Sequence, residues 1–324
     1  MQMGTICIYY CVCSGLNFFG VFMMKKLIAA AVSFLLLLSA AGCAGKTAPA
    51  VSDGKLKVYA SFYAMYDFSK KVGGDRADVV NLVPAGTEPH DWEPSTTDIA
   101  GLERADLLVY NGAGMESWVD RVIATLSNKK MIAVKASEKV SLLNGSTDAA
   151  KADPHMWLAP EDAKLEMAAI RDAFEKADPA GKSYYEGRYA QNAARFDALD
   201  QEYRKTLSGL TNKRVVVSHQ MLGYVCQTYG LDQIPIEGLS ADTEPDPKRM
   251  TEIIRTAKQY HVKYILFEDL VDPKVAQTIA SQVGAQTLRF NPLEGLTEAE
   301  QAKGEEYFSV MEQNRKVLQQ ALGE

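Results

Sequence analysis

At 324 residues, 47% of them hydrophobic and 23% charged, the chain has the composition of a globular protein with room for two domains of ordinary size, each with its own core. Its formal net charge of −6 argues against a nucleic-acid binder, which needs a basic face to neutralise phosphates.

Residues 1–23 are uncharged and contain Cys7, Cys11 and Cys13; standing ahead of a complete export signal, they are expected to be an upstream extension rather than structure. The signal occupies 24–43. Met24-Lys25-Lys26 is a short positive n-region, Leu27–Leu38 an apolar h-region, and Ser39-Ala40-Ala41-Gly42-Cys43 a run of small residues. The apolar run is short for a membrane-crossing helix, which needs about 20 residues. The cysteine directly after Gly42 resembles the lipobox of bacterial lipoproteins, in which the thiol is acylated and becomes the mature N-terminus, although Ala40 stands where leucine is commoner. The expectation is lipidation at Cys43 and export, with the protein anchored to the outer face of the cytoplasmic membrane or held in the periplasm. After such processing only Cys226 is left in the folded body, so no internal disulfide forms and stability rests on the core. Residues 44–54, small, polar and proline-containing, suit a tether.

From Lys55 onward, apolar β-branched runs alternate with helical patterns. The runs are Leu56–Ala60, Val79–Val83, Leu107–Tyr110, Met131–Val134, Val215–Val217, Tyr264–Phe267 and Thr287–Phe290. Asp246-Pro247 opens a helix over Lys248–Tyr260, and Asp272-Pro273 opens one over Lys274–Val283 that Gly284 closes, each pairing a cap with an early proline. Short apolar strands alternating with helices predict parallel α/β sheets flanked by helices. Tyr185, Tyr189, Phe196, Leu199, Tyr203, Leu207 and Leu210 recur at three- and four-residue spacing. With Asn192 filling the gap they predict one amphipathic helix of roughly 28 residues, about 42 Å long. The organisation expected is an N-terminal lobe over 55–182, a linking helix over 183–210 and a C-terminal lobe over 211–324, with no internal sequence repeat.

The chain has four histidines. His261 falls where a helix ends, and a helix C-terminus alone accounts for it. His90 follows a strand in GTEPHDWEPS, His155 lies in the proline-stiffened loop ADPHMW, and His219 comes one residue after the strand ending at Val217. Ligands of open α/β sheets bind beyond the carboxyl ends of strands, so His90 and His219 suit opposite walls of a cleft. Spacing alone does not show that the three converge.

The stretch Leu82-Val83-Pro84-Ala85-Gly86-Thr87-Glu88-Pro89-His90-Asp91-Trp92-Glu93-Pro94 resembles the signature of solute-binding proteins of bacterial zinc and manganese ABC importers, solute-binding protein family 9. Residues 105–112, 153–158, 218–219 and 291–297 are similar to further motifs of that family, in order and with compatible spacing, from about Lys55 to the C-terminus. The resemblance implies two α/β lobes joined by a rigid helix, with one metal in the cleft between them. It also implies that His90 and His155 ligate from the first lobe and His219 from the second. Asp91 and Glu93 are candidates for fixing the His90 ring, and Trp92 and Trp157 for packing beside their histidines. Zinc members often carry a histidine-rich loop between the first two ligands; residues 136–153 have no histidine.

Two settings offer a fourth ligand: Glu268-Asp269 after the strand Tyr264–Phe267, and Glu294 after Thr287–Phe290. Asn291 stands where some relatives keep an aspartate, and its neutral amide is a poor zinc ligand. Asn291-Pro292-Leu293-Glu294 is similar to members whose glutamate beyond the proline coordinates metal, with Pro292 stiffening the approach and Gly295 letting the chain turn. Three neutral imidazoles and one carboxylate suit Zn2+ as the transported ligand, with Mn2+ as the alternative. The implied partners are an ABC permease, its ATPase subunit and, through the lipid, a membrane; the chain itself is expected to be monomeric. An adhesin-like lipoprotein is a further alternative. A zinc hydrolase is not expected, since HExxH, GxSxG and phosphate-binding glycine loops are all missing.

Overall fold

A computed structural model describes residues 54–145, 151–240 and 245–323. The proposed extension, signal, lipidated Cys43 and most of the tether lie outside the described residues.

The first lobe runs β1 (Leu56–Ala60), α1 (Tyr63–Gly73), β2 (Ala77–Asn81), α2 (Thr96–Leu102), β3 (Leu107–Tyr110), α3 (Val119–Thr125), β4 (Ile132–Lys135) and α4 (Pro160–Ala177). Then comes α5 (Lys182–Ser208). The second lobe runs β5 (Arg214–Val217), α6 (Gly223–Tyr229), β6 (Asp232–Pro235), α7 (Pro247–Gln259), β7 (Tyr264–Phe267), α8 (Lys274–Val283), β8 (Gln286–Arg289), α9 (Glu298–Ala302) and α10 (Tyr307–Leu322). Each lobe has a four-stranded parallel sheet, ordered β2-β1-β3-β4 and β6-β5-β7-β8. The two orders are the same topology, repeated where the sequence shows no repeat. In each, the strand order reverses beside the lobe's first strand, and the carboxyl ends there border a crevice.

Alternation along the strands sorts side chains between the sheet faces. In the first lobe Leu107 and Val109 join α1 and α4 in the main core, while Leu108 packs with Leu102 of α2 and Val119 and Val122 of α3. In the second, Val216 and Ile265 pack under Ile253 of α7 and Ile279 of α8, while Val215, Val217 and Leu266 turn to the main core. Asp246 caps α7 by accepting the Arg249 N–H at 2.8 Å, and Gly284 ends α8 in the left-handed conformation at φ 74°.

The main core is continuous across both lobes. α5 buries Tyr185, Phe196, Leu199, Tyr203 and Leu207, and α10 returns from the C-terminus to pack on it. Phe196 meets Phe68 of α1 and Tyr307 and Phe308 of α10 with ring centroids 4.8–5.8 Å apart. The Tyr307 hydroxyl donates to the Trp157 carbonyl at 2.6 Å, and Glu306 pairs with Lys71 and Arg195. The lobes are therefore joined by α10 as well as by α5, a second connection that the local pattern of α10 does not announce.

Some boundaries differ from the sequence reading. β2 spans Ala77–Asn81; beyond it the Leu82 and Val83 N–H groups still donate to the Ala60 and Ser61 carbonyls, and their side chains bury, Leu82 with Leu102 and Leu108 and Val83 in the main core. β6 was not among the expected strands: its sequence, DQIP, has one β-branched residue and a proline, which is tolerated because β6 is an edge strand.

Candidate metal centre

Four loops beyond the carboxyl ends of the strands bring His90, His155, His219 and Glu294 together. Their candidate ligand atoms all lie within 4.8 Å of one another. Glu294 Oε1 is 3.4 Å from His90 Nε2, 3.3 Å from His155 Nε2 and 3.4 Å from His219 Nε2. His155 Nε2 is 3.3 Å from His90 Nε2 and 3.0 Å from His219 Nε2. A tetrahedral ion with bonds of about 2.0–2.1 Å separates its ligands by about 3.3–3.4 Å. Five of the six edges thus fall on or just short of the edges of a zinc-sized tetrahedron.

Two of the imidazoles are held from behind by carboxylates. Asp153 Oδ1 accepts both the His155 backbone N–H at 3.0 Å and Nδ1–H at 2.8 Å, and Asn111 Nδ2 donates to the Pro154 carbonyl at 3.0 Å. His219 Nδ1 lies 2.6 Å from Glu268 Oε1, which also takes the Ser218 hydroxyl. A carboxylate only accepts, so both Nδ1 atoms carry the proton and both Nε2 lone pairs face the cluster. The His90 loop is shaped by its own Glu88, whose carboxylate accepts the His90 backbone N–H at 3.0 Å. That loop docks on the other lobe through the Gly86 N–H on the Leu296 carbonyl at 3.2 Å.

Glu294 is presented by an unusual turn. Leu293, fully buried, has φ 59°, a conformation that costs a non-glycine residue about 1–2 kcal/mol. Its N–H is held by Asn291 Oδ1 at 2.8 Å. Asn314 grips the Asn291 backbone on both sides, and the Trp157 indole donates to the Pro292 carbonyl at 2.7 Å. The turn is therefore made at Leu293; Gly295, expected to supply it, instead gives clearance for Leu270, whose Cδ1 would stand 3.0 Å from an added Cβ. Asn291 is a buried scaffold of the loop.

The electrostatics fit a buried cationic ion. Burial alone would raise the Glu294 pKa, yet the surrounding imidazoles hold it well below the ordinary carboxylate range. Burial lowers His219, but Glu268 and Glu294 outweigh it and raise it well above 6.5; Asp153 and Glu294 do the same, less strongly, for His155. Glu294 Oε1 is buried without a hydrogen bond of good geometry, as an oxygen reserved for a cation would be. Side-chain exposure is 0% for His155 and His219, 1% for Glu294 and 7% for His90, and His90 lines a cavity of about 540 Å³ with Asp91, Ala113, Ser117, Pro154 and Leu239.

Other candidates stand elsewhere. Glu93 pairs with Arg121 on the surface at 2.6 Å, Trp92 packs against Trp118 at 5.7 Å, and Trp157 lies beside His155 at 5.3 Å. Asp269 pairs with Arg289 at 2.5 Å and is a quarter exposed. His261 is exposed at the end of α7. Sequence reasoning missed Asp153 as a partner of His155, although a carboxylate two residues before a histidine was a local signal. Glu268 is 49 positions from its histidine, and nothing local pairs them.

The chain is similar to known proteins. The high-affinity zinc uptake system protein ZnuA of Bacillus subtilis is 39% identical over 300 residues, covering 89% of this chain and 94% of that one. The Zn(II)-bound ZnuA-like domain of Streptococcus pneumoniae AdcA superposes with a TM-score of 0.75 at 38% identity, covering 84% of this chain and all of the domain; this chain spans 56% of the whole zinc-binding lipoprotein AdcA. The laminin-binding protein Lmb of Streptococcus agalactiae, described as having adhesin and metal-transporting activity, gives a TM-score of 0.76 at 32% identity, over 83% of this chain and 99% of that one. The family profile "Zinc-uptake complex component A periplasmic" matches residues 58–321, and the chain belongs to that family.

Proposed function

We propose that the protein is the zinc receptor of an ABC importer. It captures one Zn2+ outside the cytoplasm through Nε2 of His90, His155 and His219 and the carboxylate of Glu294, and passes it to a permease driven by an ATPase subunit. The observation that carries this reading is the set of five interatomic distances of 3.0–3.4 Å, matching the edges of a tetrahedron around an ion of zinc's bond length. Three imidazoles favour zinc over the harder Mn2+, which takes more oxygen donors. Four protein ligands close the coordination sphere and leave no position for a reacting water, so capture is favoured over hydrolysis. Zn2+ with Glu294 has a net charge of +1, and Asp153 and Glu268 behind the imidazoles offset it. The folded body works as a monomer tethered to the membrane by a lipid on Cys43.

Zinc titration of the purified chain tests this. One Zn2+ per chain is expected, with affinity falling strongly in His155→Ala. A triple variant lacking His90, His155 and His219 that still binds zinc with unchanged affinity overturns it.

A further inference from the structure

The second lobe grips the loop that carries His155. The Tyr224 hydroxyl donates to the Asp153 carbonyl at 2.9 Å and accepts the Leu143 N–H at 3.1 Å, and its ring is buried with Val140, Met156 and Ala159 of the first lobe. One residue earlier, Gly223 opens α6 directly against the Asp153 carboxylate. A Cβ at position 223 would stand 2.1 Å from Asp153 Oδ2 and 3.2 Å from its Cγ. The backbone of Gly223 is outside the left-handed region, so its conformation does not call for glycine; the missing side chain does.

Asp153 has little freedom to step aside. It is 1% exposed, and Oδ1 is committed to two hydrogen bonds with His155. Oδ2 is buried and makes no hydrogen bond, so it is seated by packing alone, with Gly223 as its floor. A methyl group there must rotate the carboxylate, and that rotation withdraws Oδ1 from His155 Nδ1.

We propose that Gly223 is a positioning residue for the metal site: from the second lobe it seats the carboxylate that orients His155 in the first, so that zinc affinity depends on a contact between lobes well behind the ion. The inference rests on His155 being a ligand. Helix propensity predicts the opposite sign, since alanine is the better helix former and on that ground alone Gly223→Ala is neutral or stabilising.

The test is a double-mutant cycle on the full chain, with zinc affinity measured by chelator competition. Gly223→Ala is expected to weaken binding about 10- to 100-fold, the effect of losing a partner behind a metal histidine. Asp153→Ala should cost a similar factor, and in that background, where the carboxylate is gone, Gly223→Ala should cost less than about twofold more. In the zinc-loaded protein the hydrogen-bonded Nδ1–H proton resonance of His155 should shift or vanish in Gly223→Ala, while that of His219 on Glu268 stays. Unchanged affinity in Gly223→Ala, or penalties that add in full, overturns the proposal. If Gly223→Ala fails to fold, recovery of folding by Asp153→Ala/Gly223→Ala supports the clash, and failure of both variants overturns it. A His155→Ala variant run alongside separates the two readings: undiminished affinity there sinks the ligand assignment itself, whereas a loss there with none in Gly223→Ala sinks only this inference.

Discussion

Replacing Glu294 by alanine removes the one anion among the four candidate ligands. Three imidazoles remain, and water fills the fourth position, so a charge-assisted bond to zinc is exchanged for a neutral one. Part of the loss is offset in the metal-free state, because the buried carboxylate is held ionised there by the imidazoles around it and alanine forfeits that pairing too. The net expectation is a 10- to 1000-fold fall in affinity, about 1.4 to 4 kcal/mol. Two neighbouring acids calibrate it. Glu268→Ala removes the acceptor from His219 Nδ1 and should cost about 10- to 100-fold. Asp269 sits in a partly exposed pair with Arg289, a type worth about 0–1 kcal/mol to stability, and Asp269→Ala should change zinc affinity less than about threefold on the same scale. Competition against a chelator of known affinity reads all three, with metal-free thermal melts as a check on folding. If Asp269→Ala loses more than Glu294→Ala, the earlier strand end supplies the ligand and the assignment is wrong.

Three other outcomes are expected. Cys43→Ser should move the protein from the membrane fraction to the soluble exported fraction with zinc binding intact, and a wild-type protein already wholly soluble refutes the anchor. Metal-free and zinc-loaded forms should respond oppositely to pH. The raised pKa values of His155 and His219 make a contribution to metal-free stability that is full below their unfolded value of about 6.5 and is lost as pH rises through the folded values. Zinc must displace those protons, so its added stabilisation grows over the same rise; melts that change in parallel between pH 6 and 9 contradict this. Small-angle scattering should give nearly the same curve with and without zinc, because α5 and α10 share one core with both lobes; a large rigid-body closure rules that out.

What was legible in the sequence is what local periodicity encodes. The runs LKVYA and YILF lie in strands of the same bounds, and the aromatic and leucine stripe from Tyr185 to Leu207 lies on the buried face of α5. The histidines stood out because they are few and sit after strands or beside proline. What was not legible depends on contacts between distant segments. Asp232–Pro235 is a strand only because β5 offers it an edge. The left-handed Leu293 is imposed by Asn291 and Asn314, 23 positions apart, so the neighbouring glycine was the natural but wrong place to put the turn. Glu268 reaches His219 because β5 and β7 are adjacent in the sheet, a fact of topology that no short window contains.

Placing the candidate ligands on loops rather than on strands reconciles a core continuous across both lobes with a cargo that must leave. The sheets have one topology and the core runs through both, so neither lobe can swing without tearing the contacts of Phe196, Tyr203 and Tyr307. Separation would also break the Trp157–Pro292 hydrogen bond that ties the His155 segment to the Glu294 loop. The four side chains come from four separate loops, and their supports are unequal. His155 and His219 are each braced by a buried carboxylate, His90 is the most exposed, and Glu294 follows a residue in a costly conformation. The Glu294 loop is itself gripped by Asn314 and Trp157, so motion of the His90 loop alone would open one of the four candidate positions while the other three side chains stay in place. On that account, release to a permease is expected to begin with the partner engaging the His90 loop, the architecture of the lobes remaining unchanged throughout.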